Sequence, residues 1–418
     1  MLGIRARPGR RSGRTNDCER WTMAAIPRLR AYEGPAILGY GFRPFFLAGA
    51  VYAGLGILIW LPMFFGDLAI PTAFAPVDWH AHEMLYGYLA AIVTGYLLTA
   101  IPNWTGQLPL QGRPLAALVG VWLAGRLAIA VSDLIGPIPA AAIDLLFLLL
   151  IAAAVAREVI VGRNWRNLGP FGGLTALTAG NVIFHVEAYG GGPAELGARI
   201  GIAAAITLIM LVGGRVIPSF TRNWLARENP GRLPVPFGRY DVASLMLSIP
   251  ALVVWVAMPD APTTAGLMLI AGAAQAIRLA RWAGDRTLRD RLVLILHVGY
   301  AFVPVGFALL AGARLLPRFV PLDAGIHAWT AGAIGTMTLA IMTRASLGYT
   351  GRKLIAGTMT QTIYAAVLIA ALTRVCAAFN QDGAATLLCI AAGAWIAAFW
   401  GFAIGYGPML ARPRVKSR

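Results

Sequence analysis

The chain has 418 residues, of which 58% are hydrophobic and only 13% charged, with a mean hydropathy of +0.68. An ordinary soluble domain carries about 25% charged residues, so that class is excluded and the solvent for this apolar surface is a bilayer. The net charge of +17 does not signal nucleic acid, because the basic residues fall in alternate loops, the signature of membrane orientation.

Residues 1–35 read as a basic cytoplasmic tail, disordered before the first apolar run. Arg10–Arg11 resemble a twin-arginine signal, but no apolar region or cleavage site follows. Met23 offers a second start, since its sequence leads directly into the first span. A single membrane domain is expected over 36–410, then a short basic cytoplasmic tail over 411–418. A spanning helix needs roughly 20 apolar residues. Apolar runs bounded by charge and Gly/Pro clusters predict twelve such helices, near 44–65, 79–101, 114–132, 138–157, 170–190, 196–218, 240–258, 262–282, 291–312, 325–344, 356–379 and 384–407.

The charges check that count. The outer loops hold only Arg199, Arg314, Arg318 and Arg374, and Arg126 lies inside the third helix; the other basic residues fall on the opposite side. That asymmetry puts both termini in the cytoplasm and requires an even number of spans. It also sets depth. His80, His82, His185 and His327 lie toward the non-cytoplasmic face, while His297 sits about two turns in from the cytoplasmic end of its helix. The split suggests two centres.

Short motifs recur. GYGFRP (Gly39 to Pro44) is echoed by GYAFVP (Gly299 to Pro304), IFHV by ILHV, and FTR by MTR. Helix pairs 1–2, 5–6 and 9–10 look related, which predicts a four-helix unit repeated three times. Such a threefold arrangement resembles that of haem–copper oxidases, by fold-level analogy alone. The fold class expected is therefore an all-α polytopic membrane protein.

All five histidines fall in or beside these helices. Imidazole at membrane depth is costly without a cavity, a partner or a metal, so His80, His82, His185, His297 and His327 are the candidate haem or metal ligands. In Trp79-His-Ala-His-Glu-Met84, His80 and His82 point about 200° apart on a helix and face different sides. Met84 falls one turn after His80, and a thioether beside an imidazole suits haem iron or low-valent copper. Glu83 either joins His80 or pairs with a buried arginine. Asn181, one turn before His185, is placed to orient that imidazole. His297 and His327 each stand alone in apolar sequence, where a hydrogen bond between helices is the alternative to ligation. Arg43 and Arg126 are secondary candidates for haem propionates, and Asp144 is a plausible partner for Arg126, since unpaired charge there is expensive. The cysteines Cys18, Cys376 and Cys389 form no CxxC or CxxCH, which argues against c-type haem and an iron–sulfur cluster.

The motifs YGFRPFFL (Tyr40 to Leu47), WHAHEMLYGY (Trp79 to Tyr88), NVIFH (Asn181 to His185), GGRVIPSFTRNWL (Gly213 to Leu225), ILHVGYAFVPVG (Ile295 to Gly306) and HAWTAGAIGTMTLAIMTRASLGYTGR (His327 to Arg352) together resemble the NnrS family over essentially the whole chain from Ala24. The resemblance implies a twelve-helix protein of the bacterial cytoplasmic (inner) membrane that contains haem and copper and is linked to denitrification and resistance to nitric oxide. It supplies no ligand assignment, so the histidines stand on physical grounds. The reading is a protein that binds haem b and copper, takes nitric oxide as a small ligand, relieves nitrosative stress and meets a membrane or periplasmic electron donor. Intramembrane carboxylates are few (Glu83, Asp144, Glu187), so no proton pathway for a full reductase is evident. The rival is a secondary transporter of a metal or haem species, which twelve Gly/Pro-rich spans with internal repeats would also suit.

Overall fold

The computed structural model describes residues 32–105, 108–161 and 168–415. The tail expected up to residue 31, the alternative start at Met23 and the last three residues lie outside them. Among the described residues there are helices and no strands. Twelve helices are long. In chain order they are α1 (Phe42–Phe65), α2 (Pro76 to Thr105), α3 (Arg113–Ala130), α4 (Pro137–Val161), α5 (Leu168–Tyr189), α6 (Glu195 to Glu228), α7 (Arg239–Ala257), α8 (Pro262–Ala280), α9 (Arg291–Leu315), α10 (Leu322 to Tyr349), α11 (Thr358–Phe379) and α12 (Ala384–Leu410).

Ten of these are long and apolar enough to cross a membrane; α5 and α10 are not among the ten. Both carry more polar cargo, Asn181 and His185 in α5, and His327, Thr336, Thr343 and Arg344 in α10. Helix ends follow local chemistry. Proline opens α2, α3 and α8, where its missing N–H costs nothing. Gly66 closes α1 at φ 84°, a left-handed cap that favours glycine. Several helices outrun the sequence expectation, most of all α6, which continues ten residues past 218, and α10, which starts earlier and ends later than 325–344.

The surface is turned inside out relative to a soluble protein. Large apolar side chains such as Ile138, Ile404, Val186 and Met246 are exposed, while Arg126, Asp144, Glu83 and Arg278 are buried. That is the pattern for a bundle whose rim meets lipid. The two ends of the helical chain close on each other. The indole N–H of Trp395 on α12 donates to the Ala53 carbonyl on α1 at 3.1 Å, and the Arg43 guanidinium donates to the Leu410 carbonyl at 2.7 Å.

At the centre, α2, α6 and α10 meet. The Tyr86 hydroxyl of α2 donates to the Gly197 carbonyl of α6 at 2.7 Å, and Tyr88 bonds Thr338 of α10. These same three helices contain π-helical stretches, at Glu83–Leu89, Ile209–Gly213 and Ala328–Gly335. A π-stretch is rare and falls mostly at functional positions. The three stretches fall in α2, α6 and α10, every fourth of the long helices.

Candidate metal and cofactor centres

Two sites lie on opposite sides of α2, and the helix itself divides them. Because His80 and His82 point to different sides, one faces the middle of the bundle and the other faces α3, α4 and α5.

The first site is a cavity of about 710 Å³, lined by α1, α2 and α6 through α12 at the ends assigned to the non-cytoplasmic side. Pockets for cofactor-sized ligands fall in the range of about 300–1,000 Å³. His80 and Met84 line it from α2, and His327 lines it from α10. His80 stacks on Trp60 with ring centroids 4.1 Å apart, and its Nδ1 is buried with no hydrogen-bond partner. His327 Nδ1 lies 2.7 Å from the Asp323 carbonyl oxygen. A carbonyl can only accept, so Nδ1 carries the proton and Nε2 keeps its lone pair. That is how a metal-binding imidazole is usually oriented. Arg199, Arg314 and Arg374 line the same cavity, with Glu195, Asp260 and Asp323 as opposite charges. Those three arginines are three of the four basic residues that break the cytoplasmic charge bias.

The second site has no such opening. His82, Glu83, Arg126, Asp144, Asn181 and His185 are all buried and bonded to one another. His82 Nδ1 meets Glu83 Oε1 at 2.9 Å, and its Nε2 meets Asn181 Oδ1 at 3.0 Å and Asp144 Oδ2 at 3.3 Å. Arg126 donates to Glu83 Oε1 at 2.7 Å and, through its other terminal nitrogen, to Asp144. Asn181 Nδ2 donates to Asp144 Oδ2 at 2.7 Å, and His185 Nε2 lies 3.0 Å from that oxygen. Tyr52 of α1 bonds Glu83. Phe74 covers the histidine pair, 5.1 Å from the His82 ring and 5.7 Å from that of His185.

Two carboxylates share one guanidinium, and both His82 nitrogens face oxygen atoms. A proton held in the network or a cation would complement the second carboxylate. His82, Asp144 and His185 each offer a ligand atom, and these atoms lie within 4.8 Å of one another. The Glu83 carboxylate behind His82 Nδ1 is the outer-shell partner a ligating imidazole normally has.

The NnrS protein family profile matches residues 36–414. The chain belongs to the NnrS family. It is thus a multi-pass membrane protein related to nitric oxide. No curated protein matches the sequence closely enough to add to this.

Within this NnrS chain, the other candidates fall elsewhere. His297 Nε2 lies 2.9 Å from Thr221 Oγ1, and its ring faces Trp282. That is the interhelical bond a lone membrane histidine commonly makes, far from the other four in depth. Arg43 is taken up by the carbonyls of Leu410 and Arg412, both at 2.7 Å, and Arg126 by Glu83 and Asp144. Neither lines the cavity, so neither has a guanidinium to offer a propionate there. Asn181 orients His82 rather than His185, because the Asp144 carboxylate already occupies His185 Nε2. Glu83 takes the arginine pairing and not His80. Tyr52 and the cavity arginines were missed from sequence. A mid-span tyrosine needs a polar partner, and an outer-side arginine at a helix end defies orientation; either signal could have found them.

Proposed function

We propose that this protein binds a b-type haem in the central cavity, where His80 and His327 would hold its iron, and a copper ion at His82, Asp144 and His185, and that it relieves nitrosative stress in the bacterial inner membrane. The observation that carries the reading is that the cavity brings together two imidazoles, from α2 and α10, each with an uncommitted nitrogen, and three arginines with no orientational reason to be there, of which Arg199 is paired with Glu195. The residues fit the group. An imidazole with its Nδ1 proton held by a backbone carbonyl presents Nε2 to iron, Trp60 and Trp395 supply flat apolar walls, and arginine is suited to propionates. Haem would supply the iron that binds nitric oxide; the chain supplies orientation, a charge-balanced rim and a pocket within apolar helices.

In the sealed cluster, two imidazoles and a carboxylate suit copper among other transition metals. Its cation would provide the positive charge that the carboxylates lack. Asp144 would offer the metal a carboxylate oxygen while keeping its contact with Arg126, and Glu83 would hold His82 through Nδ1.

Haem content of the purified protein, measured as the pyridine haemochrome per chain, tests the first site. One haem per chain, lost in His327→Ala or His80→Ala with the fold intact by circular dichroism, is expected. A colourless protein after expression with haem precursors would overturn it and favour transport of a metal or haem species. Copper per chain by elemental analysis, with and without Asp144→Asn, tests the second.

A further inference from the structure

The three arginines that line the central cavity are not equivalent. Arg199 of α6 is committed: it pairs with Glu195 at 3.1 Å, and its Nε donates to the Val256 carbonyl at 3.3 Å. Arg314 is exposed and stands in the last turn of α9, where the helix carbonyls favour a cation. Neither reason applies to Arg374 of α11. Among the described residues it makes no hydrogen bond, ion pair or ring contact. It lies before the last turn of its helix, and the helix-end field falls off within that turn. Membrane orientation does not call for it either, since it is on the non-cytoplasmic side.

Arg374 is half-buried and lines the cavity together with Ala370, one turn before it, and with Ala391 and Ala392 of α12. Three methyl-sized neighbours leave space beside the guanidinium. It lies in electrostatic range of both cavity imidazoles, His80 and His327, and of Asp323. Asp323 is exposed and is not in contact with it. A guanidinium held among apolar helices without a touching anion is unfavourable. This one has room for an anion in the same space that the two imidazoles border.

We propose that Arg374 is the carboxylate anchor of the central cavity. It holds an acidic group of the ligand that His80 and His327 face, a role that Arg199 and Arg314 do not share. The planar fork of a guanidinium matches two carboxylate oxygens. The proposal rests on the preceding reading for the first source of that group, a haem propionate; a free oxyanion such as nitrite shares the same chemistry.

The test uses the full chain purified from haem-limited cells in a neutral detergent. It is titrated by absorbance with iron protoporphyrin IX and with its dimethyl ester, which lacks the free carboxylates, and by calorimetry with sodium nitrite. The parent is expected to bind the diacid roughly tenfold more tightly than the diester, the size of one hydrogen bond to a charged group. Arg374→Gln is expected to erase that difference and leave the affinity for the diester unchanged. Arg374→Lys keeps the charge and should retain part of the difference. Arg199→Gln, which removes a guanidinium already paired, should retain all of it. Comparing two porphyrins within one variant cancels any general loss of fold. If the diester binds as well as the diacid, and nitrite binds saturably to the parent and not to Arg374→Gln, the anchor serves a free oxyanion. A diacid preference that survives Arg374→Gln, or no preference together with no nitrite binding that depends on Arg374, overturns the proposal. Failure of both porphyrins to bind overturns the haem reading instead, and the nitrite titration then decides this one.

Discussion

The two centres flanking α2 treat the same residue type in opposite ways. In the sealed cluster every charged group is bonded to another, and His82 has both nitrogens engaged. In the cavity, His80 and His327 have bonding capacity to spare, and three arginines gather where the orientation rule predicts none. The lesson is about what a buried polar group signals. A densely bonded network is high-stakes structure, because removing one member strands the rest. A buried ring nitrogen left open beside a cavity, as at His80, marks a place for ligand chemistry.

That contrast can be broken most forcefully at Arg126. Arg126→Ala leaves Glu83 and Asp144 facing each other without a cation, and removing one partner of a buried pair costs about 3–5 kcal/mol. Loss of folded protein in detergent is expected, read as a lowered apparent Tm. A variant as stable as the parent would show that the cluster is not held by its charges. His327→Ala removes a group with one local bond, to the Asp323 carbonyl, and one open nitrogen, so the cavity account expects haem content to fall with little change in Tm. His297→Ala is the mildest. It deletes one interhelical bond to Thr221, worth about 0.6 kcal/mol in membrane proteins, and should leave both haem and copper content unchanged. A change of pigment in that variant would join His297 to a centre from which its position separates it.

Much of this was legible in sequence because hydropathy and charge bias act over whole segments. The long helices stand near the places where the apolar runs predict them, ten of them apolar enough to cross a membrane, and the 100° step per residue was enough to send His80 and His82 to different sides. The pairing of Arg126 with Asp144 followed from the cost of unpaired charge alone. What sequence did not carry is the outcome of competition among neighbours. Asn181 is one turn from His185, but Asp144 reaches that imidazole first and leaves Asn181 for His82. Arg43 looked free until α12 returned to lay its carbonyl ends on it. The π-stretches in α2, α6 and α10 have no simple sequence signal, since they depend on packing at the centre of the bundle.

The measurement closest to the central claim is a reduced-minus-oxidised absorption spectrum of the purified protein, with and without nitric oxide, in the parent and in His327→Ala. The account predicts a haem b spectrum in the parent whose Soret band shifts on nitric oxide addition, and its loss or marked change in the variant. A spectrum without haem, or a haem signal indifferent to His327 and to His80→Ala alike, would contradict it.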